Sequence, residues 1–440
     1  MRAADARAPA QAGRAWLWVT VALTAGAFAV AVVLAPPASA APDRGLGWIL
    51  FLGSSVHVAS TGWFYTLDDI RSYAASRPWR FRRVPIALVL AGAATAALLT
   101  PSVVSWLLLP FFGWQFFHFQ KQNLGIAALA AASGGTPTLR PAERRALGAC
   151  GVAGICALLA HPALLQLRVD PRLERLFPLS AVAFGLAVCA GLALLARRPP
   201  GDRPAGFCVA YLVALLFSLP VFVFASPYAA VGGMTIAHGL QYLLLVGLVA
   251  AGDPRATSRM FRLAALGNIA VAGGAVLEAT SHLHGAAPVG RLLFGAYLGA
   301  VTAHFVIDAG LWRLSDPFPR AFLAERVPYL VPAGLIPGGR DPDGPGLAAR
   351  TQTTGGLRGS VSVARWVKPA SCSWFSIPPA ARRDVVAVAP GQRGWDAMAM
   401  RPPGTSRRRS SASRSAGADQ NPRELTARIV SNGPSRAGGR

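Results

Sequence analysis

Long apolar runs separated by short arginine-bearing loops set the pattern of this chain. Ten runs, each of about 17 to 23 residues, fall near positions 16–36, 46–66, 84–100, 103–125, 146–166, 178–196, 206–225, 229–251, 262–280 and 290–312. Each is long enough to cross a hydrocarbon slab as a helix, so the pattern predicts an all-α, polytopic transmembrane helical bundle of about ten spans. The bundle occupies residues 1–334. From about residue 335 the periodicity stops and Gly, Pro, Ser and Arg dominate, with Arg407, Arg408 and Arg409 running into Ser410 and Ser411. Such a segment cannot build a core, so 335–440 is expected to be a disordered basic tail on the cytoplasmic face.

The loops give the orientation. Arg2, Arg7 and Arg14 precede the first run, and Arg71 to Arg83 follow the second. Arg140, Arg144 and Arg145 follow the fourth, Arg197, Arg198 and Arg203 the sixth, and Arg255, Arg259 and Arg262 the eighth. All lie on one side of a ten-span arrangement, which the positive-inside rule makes cytoplasmic, with both termini inside a cell inner (plasma) membrane. The first run also ends in Ala-Pro-Pro-Ala-Ser-Ala-Ala, so it reads either as a retained span or as a cleaved signal.

Composition agrees with a membrane class: 440 residues, 53% hydrophobic and 14% charged. The net charge of +24 would point to nucleic acid in a soluble chain. Here the arginines sit between apolar runs and in the tail, so membrane lipids are the expected partners and nucleic acid is not. Cys150, Cys156, Cys189, Cys208 and Cys372 form no CxxC pair, which argues against a thiolate zinc site.

Against that apolar background four histidines stand out: His57, His118, His238 and His304, each inside a different run. A lipid-embedded ionisable group marks a functional site by default, and imidazole suits zinc, copper and iron. All four occupy runs of the same orientation. A rise of about 1.5 Å per residue places His57 and His304 roughly 12 to 14 Å from the cytoplasmic ends of their helices, with the other two near the same layer. Each has polar company on its own helix face: Thr61 after His57, Gln115 and Gln122 around His118, Gln241 and Tyr242 after His238, and Asp308 after His304. Metal-bound imidazoles hand their second ring N–H to an acceptor, so Asp308 is expected as the outer partner of His304. The competing reading makes each histidine an interhelical hydrogen bonder.

The stretch Phe116 to Gly125 places Gln120, Lys121, Gln122 and Asn123 in an otherwise apolar run. Either the helix breaks there at a substrate pocket, or the span ends at Gln120 with Lys121 reaching the interface. Trp63, Phe64, Tyr65, Trp106, Phe111, Phe112 and Trp114 would line an apolar ligand or form an interfacial belt.

The segments Val56-His57, Phe117-His118-Phe119, Ala237-His238-Gly239 and Ala303-His304-Phe305-Val306-Ile307-Asp308-Ala309-Gly310-Leu311-Trp312-Arg313 resemble, in order, the histidine segments of the bacterial β-carotene 15,15′-dioxygenase family. The resemblance covers about residues 46–313. It implies a helical membrane enzyme in which histidines hold non-haem Fe(II) and an apolar, lipid-like polyene is cleaved with O₂. On that basis His57, His118, His238 and His304 carry over as ligand candidates; beside the resemblance, the polar residues near them make Tyr242, Gln241 and Gln122 catalytic candidates that orient bound oxygen or a substrate oxygen. The chain departs from the family at Tyr242, where a second histidine is usual, so no fifth protein ligand carries over. Two other function classes fit the sequence: a proton-coupled transporter using the histidines, Lys121, Glu278 and Asp308, and a non-catalytic membrane scaffold.

Overall fold

The computed structural model describes residues 3–331 apart from 38–39, 255–257 and 286. The expected tail, 335–440, lies outside the described residues. Among them every regular element is helical. In chain order the α-helices are α1 (Ala3–Val33), α2 (Arg44–Phe51), α3 (His57–Phe64), α4 (Asp68–Ser76), α5 (Val84–Leu98), α6 (Pro101–Ser133) and α7 (Pro141–Ala160). There follow α8 (Leu176–Ala196), α9 (Ala205–Leu216), α10 (Pro220–Val223), α11 (Gly233–Ala251), α12 (Arg259–Ser281), α13 (Pro288–Leu311) and α14 (Pro317–Arg326). Short π-helical turns, Leu52–Val56, Trp79–Arg83 and Tyr228–Gly232, lead directly into α3, α5 and α11.

Seven of these helical stretches are long and apolar enough to cross a bilayer: Gln11–Val33, Trp79–Leu98, Pro101–Ser133, Leu176–Ala196, Tyr228–Ala251, Arg259–Gly285 and Pro288–Leu311. The chain is therefore an integral membrane protein by length and apolarity of its helices. The other three apolar runs fold less regularly. Residues 46–66 lie in a helix interrupted by the π turn and diluted by Ser54, Ser55, His57, Ser60 and Thr61. The run at 146–166 ends its helix at Ala160, ahead of Pro162. The run at 206–225 is split between α9 and α10, where Pro220 cannot donate to the preceding turn.

The helix break expected within Phe116 to Gly125 does not form. α6 continues without a break to Ser133, because its polar residues have uses along an unbroken helix. Gln120 donates to the Leu147 carbonyl at 2.7 Å, Asn123 is buried, and exposed Lys121 lies 5.3 Å over the Phe117 ring. The polar stretch is a helix seam.

Two close crossings place the site. On α13, Gly295 and Gly299 face Gly92 of α5; a Cβ on either would collide with the α5 backbone, a small-xxx-small contact of the kind that lets membrane helices touch. In the π turn, a Cβ on Gly53 would stand 2.6 Å from Ile236 Cα, and one on Gly239 of α11 would run into Gly53 itself. The turn before His57 therefore rests directly on the α11 backbone beside His238.

Two buried arginines are paired with acids among the described residues. Arg198, after α8, meets Glu143 of α7 with both carboxylate oxygens, at 2.6 and 2.7 Å, and both side chains are fully buried. Burial pushes the Glu143 carboxyl up, but the Arg198 hydrogen bonds, the Arg140 backbone N–H and the two nearby guanidinium charges outweigh it and hold the group below the usual value. Arg326 of α14 joins Asp69 of α4 at 3.1 Å and Asp253, after α11, at 3.5 Å. Neither α4 nor α14 is a span; both are short helices that bring acids and this arginine together.

Candidate metal centre

His57 opens α3 directly after the π turn, His118 is on α6, His238 on α11 and His304 on α13. The structure brings the four rings together. His57 lies against His238 (ring centroids 4.9 Å apart) and His304 (5.1 Å), and His118 lies against the same two at 5.0 and 5.2 Å. The rings thus form a closed quartet. A square of about 5 Å sides has its centre roughly 3.6 Å from each centroid, while a metal bonded at about 2.1 Å to a ring nitrogen stands roughly 3.2 Å from that ring's centroid. Shifts of a few tenths of an ångström reconcile the two figures. Donor nitrogens of His57, His238 and His304 already lie within 4.8 Å of one another.

Aromatic neighbours fix the rings. Phe119 stacks on His238 at 4.0 Å and Phe305 on His118 at 4.6 Å, each supplied by a helix of the quartet. His57, His238 and His304 are 3%, 0% and 2% exposed. Yet both ring nitrogens of His57 and of His238, and Nε2 of His118 and His304, have no hydrogen-bond partner. The His57 ring lies near the Gly53 and Ser54 carbonyls without reaching hydrogen-bond geometry. Each buried polar atom left unpaired costs about 1–3 kcal/mol, so an apolar core has no use for six in one place. Two overlapping donor sets, His57 with His238 and His304, and His118 with His304 and Asp308, are close enough that each could hold a metal ion.

The polar residues around the quartet are arranged across helices. His304 Nδ1 is 2.7 Å from Thr61 Oγ1, which is 2.9 Å from the Tyr242 hydroxyl. Tyr242 donates to Asp308 Oδ1 at 2.9 Å. Thr61 therefore occupies the Nδ1 edge of His304. The four-residue spacing puts Asp308 Oδ2 at the other edge of the ring, 3.6 Å from His304 Nε2 and 3.9 Å from His118 Nε2. Asp308 is thereby a donor on the inner side, grouped with those two histidines.

Tyr242 joins the site, its ring 5.4 Å from His304 and 5.8 Å from His57. Gln122 and Gln241 are engaged otherwise. Gln122 donates to the His238 carbonyl at 2.9 Å and to Gln241 Oε1 at 3.0 Å, and Gln241 donates to Thr24 of α1 at 2.8 Å. They tie α6, α11 and α1 behind the histidines. Thr61 is the member whose role sequence reasoning missed: its spacing from His57 marked it as polar company, but its partners are on α11 and α13.

Comparison with protein-family models, with curated proteins and with solved structures finds no match to this chain.

Proposed function

We propose that this protein is a multi-pass membrane oxygenase in which His57, His118, His238 and His304 hold one Fe(II) and an apolar lipid or polyene is oxidised with O₂. The observation that carries the reading is the buried quartet with its unpartnered nitrogens. Its setting is an inner (plasma) membrane crossed ten times, with both termini and the arginine-rich end cytoplasmic. The reaction class is cleavage of a carbon–carbon double bond, in which one O₂ supplies both carbonyl oxygens of the products and no separate reductant is consumed.

Ferrous iron, when bound, supplies the one-electron chemistry that O₂ requires. The chain's own residues do the rest. The four imidazoles would hold the ion, Thr61 anchors the Nδ1 edge of His304, and Asp308 Oδ2 would offer a further donor beside its Nε2 edge. Tyr242 keeps Asp308 pointed inward by donating its hydroxyl to Oδ1. Phe119, Phe305 and the surrounding helices keep water out. The cavity beside His57, about 30 Å³, holds a molecule the size of water or O₂, so a lipid must part the helices to reach the quartet.

The test is metal content of detergent-purified protein after titration with Fe(II), Zn(II), Cu(II) and Mn(II). About one iron per chain is expected, with His238→Ala losing it. Wild-type protein of normal fold that retains no metal would refute the reading.

A further inference from the structure

One ionisable residue in the apolar region has no part in that chemistry. Glu278 sits on α12, three residues before its end, and its side chain is 35% exposed. It reaches across to the π turn, where Ser55 donates to its Oε2 at 2.7 Å. Its Oε1 is 4.0 Å from Nε2 of His282, in the turn that follows α12. Ser55 is buried, and only Val56 separates it from His57.

The small cavity lies on the same side. Ser54, Ser55, Gln115, Thr235 and Tyr297 contribute to its wall, and His57, buried and with both ring nitrogens unpartnered, lines it too. Oxygen donors thus run from a partly exposed carboxylate, through a hydroxyl, to a space that ends on a free imidazole. Carboxylate and hydroxyl oxygens are hard, modest ligands for a divalent transition metal, whereas clustered imidazoles hold it more firmly. The order is a downhill one for such an ion, and the wrong one for an apolar substrate.

We propose that Glu278 and the Ser54–Ser55 hydroxyls form the port through which a divalent transition-metal ion reaches the four-histidine cluster. The proposal rests on the reading of that cluster as a metal site. Glu278 attracts the hydrated cation at the partly exposed end, Ser55 and the cavity oxygens replace its water, and His57 is the first ring to receive it. The role is kinetic. Once loaded, the ion is held by the quartet, and Glu278 adds little to equilibrium affinity.

The experiment follows Co(II) uptake by chelator-stripped full-length protein in detergent, read by stopped-flow absorption of the bound ion. Glu278→Gln keeps an oxygen for Ser55 and removes the charge; Ser55→Ala removes the hydroxyl and serves where the first variant folds poorly. The expected result is loading slowed at least tenfold in Glu278→Gln and several-fold in Ser55→Ala, with unchanged final cobalt per chain. Unchanged rates per folded molecule, even with lowered thermal stability, would overturn the port and leave the metal site standing. Wild-type protein that takes up no cobalt at equilibrium would overturn both.

Discussion

Replacing Gly53 by alanine tests how the quartet is assembled. The new Cβ would stand 2.6 Å from Ile236 Cα and 3.1 Å from the Ile236 backbone nitrogen. These are main-chain atoms of a long helix and cannot swing aside. An ordinary contact needs about 3.5 Å, so the π turn and α11 must separate by roughly 1 Å, a strain that costs about 1–3 kcal/mol in a packed interior. The same displacement reaches His57 one turn later and widens its 4.9 Å separation from His238 towards 6 Å. Ligands displaced that far cannot both keep bonds of about 2.1 Å to one ion. We therefore expect Gly53→Ala to lose stability and to bind Fe(II) or Zn(II) at least tenfold more weakly. Thermal unfolding in detergent and metal titration of the same preparation read the two effects. Gly247→Ala on α11 is the control, since nothing lies within 4 Å of its added carbon. Gly53→Ala behaving like that control in both assays would refute the claimed close approach.

Tyr242→Phe removes the hydroxyl shared by Thr61 and Asp308, leaving a buried carboxylate oxygen unpaired; it should cost about 1–3 kcal/mol and weaken metal binding about 10–100-fold without abolishing it, by metal titration. Glu143 is held below its ordinary value of 4.5, so the stability its ion pair contributes is fully present above that pH and is lost as pH falls through the lower folded value. Acid unfolding of the wild type should show this limb. Glu143→Gln should flatten it and, by leaving Arg198 buried without its anion, lower stability at neutral pH by about 3–5 kcal/mol in denaturation.

The histidines were legible because imidazole in a run of Ala, Leu and Val has no cheap explanation. Their partners were not. Spacing along one helix shows which residues share a face, and it linked Asp308 to His304 and Thr61 to His57; the structure uses Thr61 for His304 and Tyr242 for Asp308, each from a different helix. The polar stretch of α6 misled for a related reason. Gln120 and Asn123 resemble a helix break until α7 and the other neighbouring helices are in place to receive them. Hydrophobic run length found the long helices, but it passed over α4 and α14, whose short amphipathic turns matter through Asp69 and Arg326. The π turn before His57 left no legible mark beyond Gly53, because its reason is a neighbouring backbone.

The spread of the quartet along the chain bears on biosynthesis. His57 and His304 come from opposite ends of the described region, with the other two rings between them. A ribosome must deliver nearly all of the bundle, and α13 must dock against α5, before the last imidazole meets the first. Until then a nascent chain offers only scattered rings to any cation it encounters, so a filled quartet would mark a fully assembled molecule and guard against premature capture by half-made ones.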